Sequence, residues 1–154
     1  MQTSNINVTF DGRVYVGFDF AALPLGAALQ AALVQVDQAA DLARRTVMGD
    51  PLRALEYQLT AEEAEAFKAA SYAGEVAPTV QAWMDAAGLD AQAATDNILQ
   101  EASAWQNALY KIRAARLKGK QGVRMCASHA SAESVADAAI AEIQTSIQGV
   151  GNAA

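Results

Sequence analysis

None of the first twenty residues is alanine, whereas 37 of those that follow are. A chain so divided folds in two regimes, because alanine is the best helix former and offers a strand almost nothing to pack. In the first regime Ile6, Val8 and Phe10 lead into Asp11-Gly12, and Val14, Val16, Phe18 and Phe20 lead out of it. Apolar residues at every second position on both sides of an Asp-Gly pair predict a β-hairpin over about residues 5–20. No later segment reads as a third strand, and a lone hairpin is only marginally stable in water. The hairpin must therefore lie on helices or pair at its edge with another chain.

Beyond Pro24 the period changes. Leu29, Leu33, Val36, Ala40, Ala43 and Val47 recur at spacings of four and three, a heptad-like seam on a helix over about 26–48 that Gly49-Asp50-Pro51 ends. A second helix starts at Pro51 or Leu52, with an apolar stripe of Leu52, Leu55, Leu59, Ala66, Phe67 and Ala70. Thr60 with Glu63 fits a capping box and predicts a break near residue 60. Residues 71–78 read as a loop, and Pro78 opens a short helix that closes at Gly88 and buries Val80, Trp83 and Met84. A fourth helix, about 91–118, aligns Ala94, Ile98, Ala102, Trp105, Leu109 and Ile112, and Gly119 and Gly122 end it. The last, about 131–148, is capped by Ser131 and carries Val135, Ala139, Ile143 and Ile147 before Gly149-Val150-Gly151.

The expected fold is thus mainly α: a helical bundle of about five helices with heptad-like seams and an N-terminal β-hairpin. Residues 1–22 form the hairpin or docking segment and 23–154 the helical domain. The length suits one domain, and 53% hydrophobic against 18% charged residues excludes a disordered chain. No stretch approaches the ~20 apolar residues that cross a bilayer. Met1-Gln2-Thr3-Ser4-Asn5 has neither the basic start nor the apolar run of a secretory signal, so residence in a cytoplasm is expected. Alanine lets helix axes approach but buries little area, so a lone monomer has a thin core and the helices are expected to gain stability from several neighbours or from other subunits.

Few residues offer chemistry. Cys126 and His129 are the single cysteine and histidine, three apart, with no second pair to complete a metal site or a disulfide. Glu62, Glu63 and Glu65 read as a solvated helix start rather than as di-metal ligands, which need Glu-x-x-His motifs on facing helices. Lys118-Gly119-Lys120-Gln121-Gly122 follows a helix, where phosphate loops follow a strand. No catalytic residue, cofactor or metal ligand is assigned, and enzyme activity is not expected.

The charge is more informative. The chain carries a net charge of −6, yet six of its eleven cations, Lys111, Arg113, Arg116, Lys118, Lys120 and Arg124, fall in a window that contains no acid. Such a window reads either as a solvated helix end complementing the macrodipole or as a grip on an acidic partner. Nucleic acid is disfavoured, because Tyr110 is the one aromatic available there for base stacking. Trp83 and Trp105 sit at helical spacing on apolar faces and read as core, with interface anchoring as the alternative.

The middle of the chain carries a resemblance. Arg53-Ala-Leu-Glu56-Tyr57, Glu63-Ala-Glu-Ala-Phe67-Lys, Ser71-Tyr72-Ala-Gly74-Glu-Val76-Ala-Pro78-Thr-Val80-Gln-Ala-Trp83, Ala94-Thr-Asp96-Asn-Ile98-Leu99, Ala104-Trp105 and Ile112-Arg113-Ala-Ala-Arg116-Leu117-Lys118-Gly119-Lys120 span about residues 37–120. Together they resemble helical segments in tail-fibre, tail-tip and tail-fibre-assembly proteins of tailed bacteriophages. The resemblance implies a structural or adaptor component of a phage tail without catalysis, found in the virion or, during assembly, in the host cytoplasm. Its partners would be other tail proteins and further copies of itself, a trimer being expected from the threefold symmetry of phage fibres. The interface residues expected are Leu29, Leu33 and Val36 on the first seam, Val14, Val16 and Phe18 on the hairpin, and Trp105, Arg113, Arg116 and Lys118 on the fourth helix. Two other roles fit the same residues: an assembly chaperone absent from the virion, and a small phage-encoded inhibitor of host defence.

Overall fold

In the computed structural model, which describes residues 1–150, the Asp11-Gly12 pair joins β1 (Ile6–Phe10) to β2 (Arg13–Phe18). Both turn residues have positive φ, +50° and +71°, the conformation of a type I′ turn that matches the twist of the strands. A two-residue loop pairs Phe10 with Arg13, Thr9 with Val14 and Val8 with Tyr15. Opposed residues share a face of the sheet, so Val14, and Val16 two positions on, lie on the side opposite Ile6 and Val8. Ile6 and Val8 are buried, whereas Val14 and Val16 are 70% and 68% exposed. A bulge between the pairs at Ile6 and Val8, with Gly17 at φ +74°, then brings Phe18 opposite Ile6. The alternating apolar residues of the two strands therefore do not form one inward set.

After a 3-10 turn at Phe20–Ala22 come five helices: α1 (Leu25–Met48), α2 (Pro51–Ala69), α3 (Pro78–Ala87), α4 (Ala91–Arg124) and α5 (His129–Thr145). The protein is mainly α with an N-terminal hairpin, as the sequence leads one to expect. Residues 151–154, at the end of the expected helical domain, lie outside the described residues. The chain divides into two compact units, Met1–Thr46 with Leu109–Gln148, and Val47–Ala108. The segment 1–22 shares the first unit with most of α1, the C-terminal part of α4, and α5.

Small side chains build the first unit. Ala27, Ala28, Ala31, Ala32, Ala40 and Ala43 are all buried along α1, with Val36 between them fully enclosed, while Leu29 and Leu33 are half-buried. The ring of Phe10 occupies the place where a Cβ on Gly26 would stand, so the hairpin lies directly on the first turn of α1. Phe20, Ile112, Val123 and Ile143 supply the large buried side chains. Across the described residues, 13 of the 25 buried apolar residues are alanine, so area per residue is low and close approach of backbones does the packing.

That close approach overturns one expected helix end. Gly119 and Gly122 lie inside α4, which continues to Arg124. A Cβ at Gly119 would fall well inside the 3.0 Å that real Cβ atoms keep from their neighbours, against the Cβ of Ala139, and one at Gly122 would lie 2.8 Å from Val135 Cγ1. These glycines are the contact surface of α4 for α5 rather than helix stops. The start of α5 also moves: Ser128, not Ser131, is the N-cap, its hydroxyl accepting from the Ser131 N–H at 3.2 Å.

The second unit is centred on Ala64, Val80, Ala94 and Ile98, with Trp83, Met84, Leu89 and Leu99 packed around them. Gly88 at φ +66° ends α3 as read from the sequence. In contrast, α2 is unbroken at residue 60. The Thr60 hydroxyl donates to the Glu56 carbonyl at 2.8 Å, and Glu63 instead accepts from the hydroxyl and N–H of Thr79 at the start of α3. The expected α2 stripe is also corrected, since Leu52, Leu55 and Leu59 are exposed and, of that set, only Phe67 is buried. The helix packs through Ala64 and Phe67, one residue round from the leucines. It ends in a Schellman motif: Tyr72 N–H donates to the Phe67 carbonyl and Ser71 N–H to that of Lys68. Ser71 and Tyr72 both hold φ of +57°. The Tyr72 ring meets Phe67 edge-on at 6.0 Å and its hydroxyl donates to Asp96 at 2.9 Å.

Candidate functional site

The outer face of the hairpin is an exposed apolar surface of the first unit. Val14 and Val16 stand out from it because the I′ turn fixes the register; Phe18, which the bulge brings opposite Ile6 on the other face, is 40% exposed. Phe18 is steadied by an edge-on contact with Tyr15 at 5.5 Å. Asn7 sends its side-chain carbonyl across the strands to accept from Gly17 N–H at 2.9 Å, which holds the bulge. The three hairpin residues expected at an interface are thus at the surface, on a rigid two-stranded support. Of the seam residues, Leu29 and Leu33 are half-buried and Val36 is enclosed within the unit.

The basic window is partly consumed inside the fold. Asp37, on α1, accepts from Arg116 Nε at 2.5 Å and pairs with Lys120 through its other oxygen. Burial works against the charged carboxylate, but the hydrogen bonds from Lys120 and Arg116, with their positive charges, outweigh it and hold Asp37 below the usual carboxylate range. Lys118 reaches Glu142 of α5 at 3.4 Å in an exposed pair of small energetic weight. Lys111, Arg113 and Arg124 have no ion pair among the described residues and project exposed from α4. Of the three cations expected at an interface, Arg113 alone is uncommitted; Arg116 and Lys118 bind α1 and α5. The sequence offered no signal for Asp37, because its partners lie 79 and 83 positions away.

Cys126 and His129 are not paired. The thiol faces the Gly122 carbonyl at 3.3 Å. His129 places Nε2 2.8 Å from the Leu23 carbonyl, and its ring meets Phe20 edge-on at 5.9 Å. A carbonyl only accepts, so Nε2 carries the proton and the imidazole ties α5 to the segment that leaves the hairpin.

In the second unit Trp83 donates from Nε1 to Asn97 Oδ1 at 2.8 Å, and Trp105 meets Tyr57 edge-on at 5.3 Å. Both indoles are half-buried. Lys68 and Tyr72 converge on Asp96, whose carboxyl is held below its usual range first by the Lys68 hydrogen bond and then by that of Tyr72. No helix among the described residues is long and apolar enough to cross a membrane, and no group of three or more potential metal ligands occurs there. The chain matches no protein-family model, no curated protein and no solved structure at a significant level.

Proposed function

We propose that this protein is a non-enzymatic structural adaptor of a bacteriophage tail, acting by protein–protein binding through the outer face of its hairpin. The observation that carries the reading is the exposure of Val14 and Val16 on β2, which is paired to a β1 strand whose Ile6 and Val8 are buried in the first unit. β-branched side chains at about 70% exposure bury little of their area in the monomer, and a partner would gain from covering them. The resemblance of residues 37–120 to helical segments of tail proteins supplies the setting. The engagement of Arg116 and Lys120 by Asp37 weakens the inhibitor reading, which needs the basic window for an acidic target.

The test is quantitative mass spectrometry of particles purified from the phage that encodes the chain, compared with the lysate. A fixed copy number per particle, lost in a folded Val16→Lys variant, is the result expected. Presence in the lysate with absence from particles would transfer the protein to the assembly chaperones. Unchanged incorporation of Val16→Lys would remove the hairpin face from the mechanism.

A further inference from the structure

We infer that the free edge of β1 pairs with the same edge of a second copy of this chain, giving a twofold dimer in which the two hairpins form one continuous sheet. In a two-residue hairpin the pair beside the turn, Phe10 and Arg13, exchanges its hydrogen bonds, so the N–H and C=O of Thr9, and of Asn7 before it, point away from β2. Folded proteins blunt such an edge with lysine, proline or a bulge turned outward. Here β1 reads Ile-Asn-Val-Thr-Phe, with no charge and no proline, and the bulge of the hairpin is used up on its β2 side.

What lies beside this edge selects a second copy. A cleft of about 490 Å³ runs between β1 and α1, and its walls carry six carboxamides, Gln2, Asn5, Asn7, Gln30, Gln35 and Gln38, and no charged side chain. A twofold axis sets the patch against a copy of itself, and the groups near the axis against their own kind. On a chain of net charge −6 a carboxylate or an ammonium at that position would repel its counterpart, whereas a carboxamide is both donor and acceptor and complements itself. The cleft already shows this chemistry at one end. Gln35 accepts from the Gln2 backbone N–H at 2.6 Å and returns a hydrogen bond to the Gln2 carbonyl at 2.9 Å, treating the main chain as an adjacent strand would. Val34, 39% exposed between Gln30 and Gln38 on α1, gives the contact an apolar centre. This pairing uses the edge of the hairpin and not its outer face, so it stands or falls apart from the role proposed above.

Sedimentation velocity of the full chain over a wide concentration range, at two salt concentrations, tests it. The mass should rise from 16.1 kDa towards twice that value, with little effect of salt because the contact carries no charge. Strands of five residues make a small interface, so the association should be concentration-dependent rather than permanent. Thr9→Pro removes an outward N–H and leaves the β1–β2 ladder intact, and Val34→Glu brings like charges together across the axis. Each should raise the dissociation constant at least about tenfold with unchanged helicity and melting temperature, and Val34→Glu, on a helix surface, does so without touching the hairpin. Val16→Lys should leave the dimer intact whatever it does to particle incorporation. A wild-type chain that stays monomeric throughout overturns the proposal, as does an oligomer that persists in both folded variants. A monomer that captures another tail protein through an edge blocked by Thr9→Pro overturns it as well, since the edge would then belong to a different chain.

Discussion

Gly119 lies against Ala139 with no space for a methyl group between them, and Val36 of α1 closes the site from a third side. Replacing this glycine by alanine favours the helix by about 1 kcal/mol but forces α4 and α5 apart, at a cost of roughly 1–3 kcal/mol. Because the obstruction is a Cβ and the backbone behind it, which cannot swing away, the second effect should win. Thermal unfolding of Gly119→Ala should show a fall in melting temperature of several degrees; an increase would mean that the helices separate at little cost.

Asp37 should make stability depend on pH in one direction. Its folded pKa is depressed relative to an unfolded value of about 3.9, so its contribution is complete above that value and is lost as pH falls through the folded one. Asp37→Asn should cost roughly 1–2 kcal/mol near neutral pH, and the difference from wild type should shrink under strongly acid conditions. Denaturant melts at several pH values read this directly. A gap that stays constant down to strongly acid pH would show that the carboxylate's charge is not what binds α1 to α4.

The two serines before α5 should behave unequally. Ser128→Ala removes the N-cap acceptor and should cost about 1 kcal/mol, whereas Ser131→Ala, which leaves that hydroxyl in place, should cost less than half as much. Equal losses in urea unfolding would return the cap to Ser131.

Ser71 pays for the end of α2 by holding a left-handed backbone at φ +57°. Glycine adopts that conformation without a Cβ clash, so Ser71→Gly should stabilise the protein by roughly 0.5–1 kcal/mol. Calorimetry that instead finds a loss would indicate a role for the serine hydroxyl beyond the Schellman turn.

Local signals in the sequence were legible where one residue type has one structural meaning. Asp11-Gly12 named the hairpin, and Pro51, Pro78 and Gly88 marked helix ends because proline and left-handed glycine cannot do much else there. Gly119 and Gly122 misled because a glycine also serves wherever two helices touch, and only the partner, Ala139 or Val135, tells the two uses apart. Periodicity grouped Leu52, Leu55 and Leu59 correctly on one face of α2 but carried no information on whether anything covers it. The sidedness of Val14 and Val16 was within reach, since a two-residue loop places odd positions of β2 opposite even positions of β1. Asp37 was not within reach: an ion pair spanning α1 and α4 leaves no mark at either end of the sequence.

The alanine positions of this interior are vulnerable to mutation in one sense only. At Ala28, Ala32, Ala40, Ala132 or Ala136 there is no side chain left to trim beyond a methyl group, so the losses that hollow out a leucine core have no counterpart here. Harm comes from enlargement, and a single added methylene at these positions acts on helix spacing rather than on a local void. An alanine scan is therefore silent at these positions and reads the core only through residues such as Phe20, Ile112 and Ile143, while a scan with valine would trace the helix contacts residue by residue.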